Sequence, residues 1–140
     1  MSIDIEMLKD ALDNEENEGI MELDFDKVKK IKNDMLQRAG FNRETLKKYN
    51  KALKNYRYID EIPDIKFGSY VRWVPLKNPS KIKLTNGGIV CDVKINDDVG
   101  VVCRNSMNRL FEFKMADCLV FQKLSEQEMI LLSAMNYLNN

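Results

Sequence analysis

The hydrophobic period changes from helical to alternating at Asp60-Glu61-Ile62-Pro63. Upstream, apolar residues recur at spacings of three and four; downstream they alternate. A helix returns to one face every 3.6 residues and a strand every two, so no regular element crosses this boundary. Pro63 closes any helix that reaches it. The chain is therefore α+β, with a helical front half and strands beginning after Pro63.

In the front half, Ile3, Ile5, Met7, Leu8, Ala11 and Leu12 form a short amphipathic run that Ser2 can cap. Asp13–Gly19 reads as an acidic loop or disordered link. A longer helix follows, capped by Asp24 or Asp26, with Val28, Ile31, Met35 and Ala39 on one face and Gly40 as its stop. Lys32 interrupts that face, since it falls inside the apolar arc. Asn42 caps a second helix with Leu46, Tyr49, Leu53 and Tyr56 on one side. Lys47, Lys48, Lys51 and Lys54 project from the other side. The link Gly40-Phe41-Asn42 is short, so the two helices should fold back as an antiparallel hairpin.

In the back half, Ser69–Val74 is a strand candidate, Pro75–Lys83 a loop and Asn86-Gly87-Gly88 a turn. Ile89, Cys91, Val93 and Ile95 alternate with Val90, Asp92, Lys94 and Asn96, and beyond Asp97-Asp98 Val99, Val101 and Cys103 alternate with Gly100, Val102 and Arg104. A hairpin turning on Asp97 would oppose Ile95 with Val99, Val93 with Val101 and Cys91 with Cys103. Another turn at Asn105–Asn108 leads to Phe111, Phe113 and Met115 on one face, and Cys118–Phe121 supplies a fifth strand. Ser125 and Glu128 form a capping box for a last helix that is apolar nearly all round, from Met129 to Leu138. The fold expected is an N-terminal helical hairpin, a small five-stranded SH3-like antiparallel barrel and a C-terminal helix, with an OB-like barrel second. Its segments are an acidic segment (1–23), the hairpin (24–60) and the barrel with its helix (61–140).

Charge is segregated although the net charge is zero. Residues 1–26 hold ten acids and one base, and residues 27–60 hold eleven bases and three acids. Either the two blocks neutralise one another, or a basic helix surface awaits a polyanion with the acidic segment as competitor. The chain has no histidine, which excludes imidazole acid–base chemistry, His-activated nucleophiles and His metal ligands. No phosphate-cradling loop or zinc spacing is present, and Cys91, Cys103 and Cys118 sit in apolar strand contexts that suppress thiolate. These features point to a protein that is not an enzyme and needs no cofactor or metal. Three thiols without a CxxC pair fit a reduced intracellular, cytoplasmic setting, and no stretch has membrane-span length.

The remaining candidates are binding residues. An all-apolar helix must be buried all round, so Met129, Leu132 and Met135 are candidates for contact with a protein partner or a second copy. Tyr70 is the candidate exposed aromatic of the barrel, and Trp73 the candidate core one; aromatic residues at strand ends also build cages for methylated cations. Lys47, Lys48, Lys51, Lys54 and Arg57 are the candidates for nucleic acid. The stretch Tyr56–Leu138, with YRYIDEIPDIKFGSYVRWVPL, LTNGGIVCDVKI, CRNSMNRLFEFKM and VFQKLSEQEMILLSAM, resembles small proteins of large cytoplasmic DNA viruses. That resemblance implies a virion component or assembly adaptor and transfers no site residues.

Overall fold

A computed structural model describes residues 4–139. It contains four α-helices: α1 (Ile5–Asp13), α2 (Phe25–Arg38), α3 (Arg43–Ala52) and α4 (Glu126–Asn139). The strands are β1 (Tyr56–Ile59), β2 (Tyr70–Pro75), β3 (Gly88–Ile95), β4 (Val99–Arg104), β5 (Leu110–Lys114) and β6 (Cys118–Lys123). They form one antiparallel sheet in the order β1-β6-β2-β3-β4-β5. The fold is α+β as the periodicity requires, but the sheet has six strands and two edges where five strands and closure were expected.

The extra strand is Tyr56-Arg57-Tyr58-Ile59, which helical spacing had joined to the basic helix. Aromatic and β-branched side chains favour a pleated surface, and here they pair with Val120–Lys123 of β6. Helix α3 accordingly stops at Ala52, and Leu53 turns fully into the core. The sheet curls strongly. In a flat sheet β2 and β5 would stand three spacings of about 4.8 Å apart, yet the rings of Trp73 and Phe113 stack with centroids at 4.3 Å.

The β3–β4 hairpin opposes Ile95 with Val99 and Val93 with Val101, as the alternation predicts. The third expected pair is different. A register shift between Val90 and Asp92 sets Val90, not Cys91, opposite Cys103, so Cys91 becomes the exposed bulge residue. The Asn105–Asn108 turn is held by the Asn105 side chain, whose Oδ1 accepts from the backbone of Met107 and Arg109, while Asn108 takes φ +64°.

Three cores result. Val71, Val90, Val101, Cys103, Phe113 and Val120 fill the inside of the curl. On its other face Val74, Leu119 and Phe121 meet Leu36 and Leu53 of the helical hairpin. Ala11, Ile20, Val28, Leu124, Leu131 and Leu132 make a helical core. The acidic segment therefore contributes to the fold: Glu15–Ile20 is a 3₁₀ helix with Asn17 and Ile20 buried, in place of the expected loop. Asp4 caps α1, whereas the expected cap Ser2 lies outside the described residues. Asp24 caps α2, Asn42 caps α3, and Ser125 with Glu128 closes the capping box of α4.

A buried ion cluster ties these layers together. Glu128 Oε2 lies 3.4 Å from Arg57 Nε of β1, and Glu128 Oε1 lies 3.5 Å from Lys66 Nζ. Arg57 also reaches Asp64, and Lys66 donates to Asn17 of the 3₁₀ helix. Gln122 of β6 completes the cluster, accepting from the Lys66 amide and donating to the Asp64 carbonyl.

Candidate functional site

At one end of the curled sheet a cleft of about 610 Å³ opens among Tyr70, Trp73, Met107 and Phe111, with Lys81 and Glu112 also lining it. One wall is the segment after Leu84. Thr85 binds β2 twice, its amide donating to the Trp73 carbonyl and its hydroxyl accepting from the Trp73 amide. The Tyr70 hydroxyl donates to the Asn86 carbonyl at 2.6 Å. Gly87 sits at φ +83° against the β2 backbone, where a Cβ would collide with the Val71 carbonyl. The opposite wall is the Asn105–Asn108 turn, which presents Met107 at 73% exposure.

Phe111 pairs with Cys103, so its side chain lies on the inner face of β5. Because β5 is a sheet edge, nothing among the described residues covers that end of the face, and Phe111 stays 46% exposed. Tyr70 and Trp73 are half-buried at the floor. The alternation places Phe111 on one face with Phe113 and Met115. Its uncovered place at an open edge depends on the sheet order, which no local pattern carries. Chemically, the cleft offers apolar and aromatic surface with one charge of each sign at the rim. Such a surface holds an apolar side chain and orients the polar chain around it.

The other candidates separate. Leu132 is 0% exposed and belongs to the helical core, so it is not available to a partner; α1, the 3₁₀ helix and α2 cover the face of α4 that it occupies. Met129 and Met135 are half-buried, and only Tyr137 and Leu138 stand out as exposed apolar residues of α4. Lys47, Lys48 and Lys51 are exposed on α3, and Lys54 follows in the turn. Arg57 does not belong with them: at 5% exposure it is spent on Asp64 and Glu128, because residues 56–59 are strand and not helix.

The three cysteines are free thiols. Burial pushes the Cys103 thiol up to about 12, with the neighbouring Cys91 adding to it, and pushes Cys118 up to about 11, with Asp117 adding to it. Among the described residues no group of three or more Cys, Asp or Glu is placed to hold a metal ion, and no helix is long and apolar enough to cross a membrane. A scan against protein-family models, a search of curated proteins and a search of solved structures each found no match.

Proposed function

We propose that the chain is a non-enzymatic interaction module that takes an apolar peptide segment of a protein partner, or of a second copy, into the Tyr70–Phe111 cleft. The observation that carries this reading is the exposure of Met107 and Phe111 over a half-buried aromatic floor. An uncovered aromatic beside a preformed cavity is the usual anchor point of a protein interface. The order β6-β2-β3-β4-β5, with a 3₁₀ turn (Met115–Asp117) between β5 and β6, supports an SH3-like unit extended by β1. The resemblance to viral proteins makes an assembly adaptor or virion component one form of the same reading.

Peptides selected from a displayed library on the full chain test it. Phe111→Ala should weaken a selected consensus by about thirtyfold, the effect of losing an anchor of about 2 kcal/mol. Far-ultraviolet circular dichroism should report an unchanged fold. Binding indifferent to both Phe111→Ala and Met107→Ala removes the cleft from consideration.

A second reading, polyanion binding, is favoured by one specific observation. Lys47, Lys48, Lys51 and Lys54 are exposed, and among the described residues none of them is engaged in an ion pair, with the acidic segment or otherwise.

A further inference from the structure

Between α2 and α3 lies a second recess of about 450 Å³, into which Lys29, Lys32, Lys51, Lys54 and Asn50 converge. Among the described residues no carboxylate lines it, and none of the four ammonium groups has an ion-pair partner. Lys32 is the unusual member. It is 4% exposed, and its Nζ donates to the carbonyls of Leu53 at 2.7 Å and Tyr56 at 3.2 Å. An ammonium has three N–H groups, so one is left for the recess. Burial, with the charge of Lys29 added, lowers its pKa to about 8. At neutral pH Lys32 is thus a buried cation held by two carbonyl dipoles and no counter-ion, which is costly unless something anionic completes it.

A second observation is independent of charge. Asn50 Nδ2 donates to Asn33 Oδ1 across the hairpin at 2.8 Å, while Asn50 Oδ1 is buried with no donor among the described residues. Buried acceptors are nearly always satisfied. The remaining wall is apolar: Phe25, Val28 and Leu124. The recess therefore asks for anionic oxygens, one N–H donor and a flat or apolar body in a single ligand.

We propose that this recess binds a nucleotide, either free or as one residue of a single strand, with its phosphate on the lysines, an amino group of the base on Asn50 and the base against Phe25, Val28 and Leu124. The site is separate from the Tyr70–Phe111 cleft and shares only Lys51 and Lys54 with the exposed lysines of the polyanion reading.

The test uses the full chain with two fluorescent probes, labelled ATP and a labelled oligodeoxyadenylate, followed by anisotropy. Lys29, Lys51 and Lys54 are exposed, so the triple variant Lys29→Ala/Lys51→Ala/Lys54→Ala keeps the core intact; Lys32→Met probes the buried cation. Binding of ATP that the triple variant weakens about tenfold or more supports a free nucleotide as ligand. Binding confined to the oligonucleotide, with the same loss, supports a strand. Absence of binding to both probes, equal binding by the triple variant, or a loss produced only by Lys47→Ala/Lys48→Ala overturns the proposal.

Discussion

Two thiols that the strand alternation sets opposite each other meet contrary environments in this fold. Cys103 points into the curl and Cys91 stands on a bulge at the surface. Thiolate is the reactive form, so the raised pKa values of Cys103 and Cys118 keep both protonated at pH 8 while Cys91 remains accessible. A disulfide reagent at that pH should titrate one thiol per native chain and three after unfolding. Cys91→Ser should abolish the native reaction; a second native thiol reacting at the same rate would mean that the curl is open. Lys32 carries the same lesson in the other direction. Its place inside an apolar arc is visible in the sequence, but the carbonyls that receive its ammonium come from Leu53 and Tyr56, beyond the following helix.

Among the elements, α3 and β1 show where local pattern stops. Leu46, Tyr49, Leu53 and Tyr56 keep helical spacing, yet the chain leaves the helix after Ala52 because Tyr56–Ile59 gains a full ladder with β6. Tertiary pairing overrides a continuing period. The consequence for polyanion binding is that the basic surface is one short helix and a turn, Lys47 to Lys54. If it meets nucleic acid through phosphates, affinity should fall steeply as salt rises. Neutralising the exposed acids Glu15, Glu16 and Glu18 to Gln should then raise it, without the damage that deleting the segment would do to the core around Ala11 and Ile20. Salt-independent binding, or none by either form, measured by filter retention of a labelled duplex, would end that reading. Caps and turns, in contrast, were legible: Asp24, Asn42, Asn105 and the Ser125–Glu128 box act as their spacing announces, since each interaction closes within four residues.

For the molecule as a whole, the Glu128 cluster is the join between its layers. It links the first turn of α4, strand β1 and the Lys66 region, and through Lys66 the acidic 3₁₀ helix. Arg57 Nε and Glu128 Oε2 are close without being aligned as a hydrogen bond, so the attraction is chiefly between charges. Glu128→Gln keeps the shape and removes the charge, leaving Lys66 and part of Arg57 uncompensated in the interior. The expected loss is about 3 kcal/mol in urea unfolding, the lower end for breaking a buried pair. A loss under about 0.5 kcal/mol, as for a surface substitution, would show that the cluster does not hold the layers together.

The amino-acid order alone set the helical first half, the antiparallel second half, the hairpin turns and the absence of imidazole chemistry, because period, capping and composition are local quantities. Only the folded chain decided that Arg57 is interior, that Leu132 is core, that Phe111 lies uncovered at an open edge and that Lys32 shares a recess with Lys51 and Lys54. Each of those outcomes depends on which distant strand or helix lies alongside, and the pairing free energy that selects it belongs to no single segment.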